Sequence, residues 1–140
     1  MKIFEFIEHT ADIGVRVFGR DLEELFKNSA TALFGIILDY HPQSSIKEEI
    51  VLEAESLEEI LVTWLNELLS LFSAYKFLPA DYNISIGKKN EIFFLNAIIY
   101  GENFDYNSSG INTEIKAATY HDLKIEKKDD LYIAEIIFDV

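Results

Sequence analysis

Ser56-Leu57-Glu58-Glu59-Ile60-Leu61-Val62-Thr63-Trp64-Leu65-Asn66-Glu67-Leu68-Leu69-Ser70-Leu71-Phe72 is the stretch whose reading decides the fold. Ser56 and Glu59 have the Ser-x-x-Glu spacing of a capping box, in which each side chain takes up an orphan backbone N–H of the first turn. Behind it, Leu57, Ile60, Leu61, Trp64, Leu65, Leu68 and Phe72 recur at helical spacing. They form one wide apolar face over about five turns. Pro79 lies just beyond its end. Upstream, Asp21-Leu22-Glu23-Glu24 starts a second helix in the same way. Leu22, Leu25, Phe26, Leu33, Ile36 and Ile37 share its stripe, so it should run from Asp21 to Leu38, stopped by His41-Pro42.

Everything around these helices reads as strand. Ile3 to His9 and Ile13 to Phe18 are rich in β-formers, and Gly19-Arg20-Asp21 closes the second. Ile46 to Ala54 alternates between the helices. After the second helix the period changes to two: Tyr82 to Ile86, a Gly87-Lys88-Lys89-Asn90 hairpin turn, then Ile92 to Tyr100, ended by Gly101. A polar loop, 102–110, leads to strands over Thr113 to His121 and Leu123 to Glu126, and Lys127-Lys128-Asp129-Asp130 turns again. Leu131 to Phe138 is apolar on both faces and should be a central strand. Two helices cannot cover both faces of so large a sheet. The pattern predicts an α+β, two-layer domain, a mixed β-sheet with two main helices packed on one face.

The chain has 140 residues, 49% hydrophobic and 26% charged. That fits one domain, 1–140, with a core of its own. No apolar run reaches the roughly 18 residues of a membrane span, and an acid at Glu5 comes too early for a secretory leader. Acids outnumber bases 25 to 12, for a formal charge of −13. Lys88-Lys89 and Lys127-Lys128 are the only adjacent basic pairs. Nucleic-acid backbones are held by clustered Lys and Arg, so direct nucleic-acid binding is not expected. A basic protein or a metal cation is the better electrostatic partner, and plain solubility is the ordinary alternative. The absence of cysteine excludes disulfides and thiolate chemistry and fits a cytoplasmic protein.

Three constellations interrupt well-formed strands. Glu8-His9-Thr10-Ala11-Asp12-Ile13-Gly14 puts His9 and Asp12 at a strand junction; spacing alone favours an Asp that bonds its own turn. In Glu114-Ile115-Lys116-Ala117-Ala118-Thr119-Tyr120-His121, small Ala117 and Ala118 allow close approach to the backbone. Here Lys116 reads ordinarily as a solvated charge and His121 as a strand-end residue. Finally, Phe138-Asp139-Val140 ends on an Asp side chain beside the α-carboxylate of Val140. A frayed terminus is the usual outcome there, but the apolar strand running up to Asp139 argues for a pinned end. If Asp12 lies beside it, three oxygen donors converge. That suits a hard cation, Ca²⁺ or Mg²⁺. No phosphate loop, nucleophile elbow or His-x-x-x-His pair is present, and His9, His41 and His121 have no metal-ligand spacing.

Taken together, Glu8–Gly14, Trp64-Leu65-Asn66-Glu67-Leu68-Leu69, Gly101-Glu102, Ile115–His121 and Phe138-Asp139-Val140 resemble the archease family, in the family's order and across nearly the whole chain. Ala118 stands where a larger aliphatic residue is expected. The resemblance implies a non-enzymatic accessory protein of the GTP-dependent tRNA-splicing RNA ligase, one that promotes ligase guanylylation and repeated turnover. It maps a metal-binding acid onto Asp12 and a second onto Asp139, with the carboxylate of Val140 beside it. The expected cofactor is a divalent metal ion, Ca²⁺ or Mg²⁺, with Ca²⁺ slightly favoured. Around it, His9, Lys116, Tyr120 and His121 are the expected contacts to the ligase, the protein partner. Two other readings stand beside this one: a general chaperone or modulator of an RNA-modification enzyme, and a metal-dependent hydrolase that activates water on the carboxylates.

Overall fold

A computed structural model describes residues 2–7, 12–105 and 110–140. The chain runs β1 (Phe4–Ile7), β2 (Ile13–Gly19), α1 (Leu22–Ile37), β3 (Ile46–Ala54), α2 (Leu57–Tyr75), β4 (Phe77–Lys89), β5 (Ile92–Asn103), β6 (Ala117–Lys128) and β7 (Leu131–Asp139). Both helices start where their caps predict. The Glu24 N–H donates to Asp21 Oδ1 at 2.8 Å and the Glu59 N–H to Ser56 Oγ at 3.1 Å. Two acids in each first turn, Glu23 and Glu24, then Glu58 and Glu59, complement the positive helix end. Lys76, left-handed at φ 57°, ends α2.

The α+β class holds, but the strands form two antiparallel sheets and not one mixed sheet. One has the order β1-β2-β7-β6 and the other β3-β5-β4. Every pairing is antiparallel. The cause lies in the connections. β4–β5 and β6–β7 are joined by two-residue turns, Asn90-Glu91 and Asp129-Asp130, whose positive φ values (53° and 68°, 52° and 65°) give the hairpin twist. These strands therefore extend further than the hydrophobic pattern alone indicated. β7 is central in its sheet, as its two apolar faces predict.

The helices join the two sheets. α1 packs on β1, β2 and β7 of one sheet and β4 of the other; α2 packs on β6 and on β3, β4 and β5. Val15, Val17, Ala134, Ile136 and Phe138 face them, all fully buried. At the centre lies Trp64, whose indole N–H donates to the Phe26 carbonyl at 3.1 Å and so ties α2 to α1. On the opposite face of the four-stranded sheet, Arg16 of β2 reaches Glu5 of β1 at 2.6 Å and Glu135 of β7 at 2.8 Å. These three residues are cross-strand neighbours, so the guanidinium fork spans three strands.

Candidate functional site at the end of the four-stranded sheet

Strand register brings the predicted carboxylates to one edge. Ile13 pairs with Phe138, and Asp139 pairs with Ala117. One residue beyond the first pair are Asp12, just before β2, and Asp139, the last residue of β7. The Lys116 N–H donates to the Asp139 carbonyl at 2.8 Å. Asp139 is thus pinned by the start of β6, one residue beyond the last β2 pair, and the frayed-terminus alternative fails. Asp12 is half-buried, whereas Asp139 and Val140 are exposed. Three adjacent strand ends therefore present Asp12, Asp139 and Lys116 together. Among the described residues, no three His, Asp or Glu side chains gather closely enough to form a ready-made metal cluster. His9 lies outside the described residues.

Tyr120 and His121 sit on an irregularity whose form the sequence pattern did not show. β6 pairs with β7 at Thr119↔Ile137 and next at Lys124↔Glu135. Four residues, Tyr120 to Leu123, thus oppose a single one, Ile136. The resulting bulge carries Asp122 at φ 56° and is closed by the His121 N–H on Thr119 Oγ1 at 3.3 Å. Both ring side chains are exposed, and His121 Nε2 lies 3.2 Å from Asp122 Oδ2. A bulge of this kind re-aims side chains away from the sheet's regular alternation. The sequence reading of one strand to His121 and another from Leu123 marked the break without its form.

One residue beside the edge stood in a family-like motif with no role assigned to it. Asn66 of α2 accepts the Ala118 N–H on Oδ1 at 2.8 Å and donates Nδ2–H to the Ala118 carbonyl at 3.2 Å. It occupies the outward backbone groups of β6, the edge strand. Its signal in the sequence is a poor helix former in the middle of an otherwise strong helix. Away from this edge, on β5 of the three-stranded sheet, Glu102 accepts the Tyr40 hydroxyl, which raises that phenol's pKa, while its Oε1 is buried without a partner. Beside the acidic edge, α2 and the segment 111–117 enclose a cavity of about 560 Å³. Its walls include Asn66, Leu69, Phe72, Ile115 and Lys116.

No helix among the described residues is long and apolar enough to cross a membrane. The Archease protein family matches residues 4–140. The chain is 37% identical to the protein archease of Sulfurisphaera tokodaii, with all of both chains covered. It is likewise 37% identical to that of Pyrococcus furiosus, again over all of both. Among solved structures, it superposes on protein 1598 of Methanobacterium thermoautotrophicum with a TM-score of 0.86 at 31% identity over the whole of both chains. An archease from Thermotoga maritima, described as a possible chaperone, gives a TM-score of 0.62 at 25% identity over 96% of this chain and 94% of that one. With a family match spanning all but the first three residues, this chain belongs to the archease family.

Proposed function

We propose that this protein is a non-enzymatic activator of the GTP-dependent tRNA-splicing ligase, acting in tRNA processing through a divalent-cation site at the end of the four-stranded sheet. The observation that carries the reading is the register that brings Asp12 and Asp139 to one edge, in a chain whose family match covers both residues. Their oxygens, with the carboxylate of Val140, suit a hard cation and not a soft one. The donor set fits Ca²⁺ or Mg²⁺ in kind. Two side chains and one main-chain carboxylate fall short of the six to eight oxygens that Ca²⁺ takes, so water or the ligase itself supplies the rest. That shortfall favours a cation shared with the partner over one that is purely structural. When bound, the cation neutralises the acidic edge and offers a Lewis-acidic centre.

The chain's own residues do the remainder. Asp12 and Asp139 hold the charge in place, and the Tyr120–Leu123 bulge and Lys116 flank it as the contact surface. A net charge of −13 steers the protein toward a basic, phosphate-binding mouth, with an association rate that falls as salt rises. Activation requires tighter binding to the guanylylation-competent ligase than to its resting form. The chaperone reading ranks second, because the exposed large apolar side chains are spread over several elements, among them Phe6 on β1, Ile46 and Val51 on β3, Tyr75 on α2 and Tyr120 on β6.

The test is RNA ligation by the ligase of the same source, with substrate in about tenfold excess, alone, with wild type, and with Asp12→Ala. Wild type should raise repeated turnover and Asp12→Ala should not, while both melt cooperatively. Full stimulation by Asp12→Ala would sink the carboxylate site, and no stimulation by wild type would sink the activator reading.

A further inference from the structure

We infer that Asn66 is a positioning residue for the acidic edge: its double hydrogen bond to Ala118 fixes the start of β6, and through it the places of Asp139 and Lys116. This inference rests on the reading of Asp12 and Asp139 given above.

The segment that leads into β6 buries Ile115 in the core, with Ile111 packed against it, but few backbone hydrogen bonds fix its course. Residues 110–116 form no regular structure. They are tethered by Asn112 and Thr113, whose N–H groups donate to the Ile37 carbonyl at the end of α1, at 2.8 and 3.3 Å. Pairing with β7 then lasts only from Ala117 to Thr119 before the bulge interrupts it. Three paired residues at a sheet edge are a weak anchor. Ala118 is in the middle of them, with its side chain buried and both backbone groups taken by Asn66.

In effect one carboxamide stands in for the next strand. It offers an acceptor and a donor at the spacing of a peptide group, and it comes from a helix that Trp64, two residues earlier, locks to α1. The geometry suits asparagine alone. Aspartate lacks the donor and would set a carboxylate against a carbonyl, and glutamine is a methylene too long. Asn also costs helix propensity at this position, a penalty that the Ala118 pair offsets. Since Asp139 pairs with Ala117 and accepts the Lys116 N–H on its carbonyl, loosening Ala118 frees both residues of the edge. Outer-sphere groups that orient cation ligands typically cost 10–100-fold in affinity when removed.

The experiment measures Ca²⁺ and Mg²⁺ affinity by calorimetry for wild type, Asn66→Ala, Asn66→Asp, Asp12→Ala and Ser56→Ala. Backbone amide exchange at Lys116 and Ala118 is followed in the same proteins. Ser56→Ala removes a distant cap and controls for lost stability alone. Asn66→Ala should weaken cation binding by roughly tenfold or more and speed exchange at Lys116 and Ala118, with Ser56→Ala changing neither. Should Asn66→Ala fail to fold, the near-isosteric Asn66→Asp carries the same expectation. Wild-type affinity in a folded Asn66 variant, with Asp12→Ala impaired, overturns the role of Asn66 and leaves the carboxylates standing. Equal affinity in wild type and Asp12→Ala overturns the carboxylate reading, and this inference with it.

Discussion

Alanine at Gly35 and alanine at Gly101 should move stability in opposite directions. Gly35 lies inside α1, and a Cβ built there meets nothing within 4 Å. Its removal relieves only the helix penalty of glycine, about 0.8–1.0 kcal/mol relative to alanine. At about 2.1 cal/mol/K per residue, unfolding of a chain this size has an entropy of roughly 0.3 kcal/mol/K, so Tm should rise by about 3 °C. Gly101 is a different case. It lies in β5 opposite the bulge between Pro79 and Asp81 of β4. A Cβ there would come 2.9 Å from the Leu78 carbonyl carbon, closer still to its oxygen, and 3.0 Å from the Phe77 ring. The obstacle is backbone of the neighbouring strand and cannot rotate away. The cost should reach the upper part of the overpacking range, about 3 kcal/mol, or roughly 10 °C. Urea unfolding of the two variants, with the midpoint shifting at constant m, measures both. A Gly101→Ala protein as stable as wild type would refute the close approach at the bulge. A Gly35→Ala protein that loses stability would show that the open space beside α1 is filled.

Removing either cap, by Asp21→Ala or Ser56→Ala, should cost about 1 kcal/mol, read from the same urea transitions. Acid should destabilise the fold. Lys2 and Arg16 hold the Glu5 carboxyl below its usual range, Arg20 does so for Glu24, and Lys27 for Asp81. A carboxyl whose pKa is lowered by folding contributes above its unfolded value and loses that contribution as pH falls through the folded one. Midpoints should therefore fall as pH drops below about 4.5, the ordinary carboxyl range; a flat profile there would discount these pairs. At the alkaline end, burial pushes the Tyr82 hydroxyl up, so stability should decline above about pH 10, where the unfolded phenol ionises. Tyr82→Phe should flatten that limb.

What could be read from the sequence divides by the range of the interaction. The helices were legible because caps and periodicity are local: Asp21 and Ser56 mark both starts to the residue. β3 was legible in full, from Ile46 to Ala54. β4 was not. Pro79 reads as a breaker, yet it sits within an edge strand at a bulge, where a missing N–H costs no ladder bond. The segment from Thr113 looked like strand by composition, but 113–116 spend their hydrogen bonds on Ile37 and Asp139. Of the acidic edge, its residues could be named but not their neighbours. That Asp139 stands by Ala117, or that Asn66 reaches Ala118, depends on pairings dozens of residues apart that no local pattern encodes. The division into two sheets is non-local in the same way.

The position of β7 has a consequence for how the chain folds as it is made. The strand at the middle of its sheet comes last in sequence, and its contact with β2 spans 119 residues at Arg16 and Glu135. During synthesis at roughly 5–20 residues per second, the β1–β2 hairpin, both helices and the β3-β5-β4 sheet can emerge while β2 still lacks its inner neighbour. Closure waits for β7, which is also the strand that carries Asp139. The acidic edge, which needs β7 beside β2, is therefore the last part of the four-stranded sheet to assemble on a chain that folds as it is made.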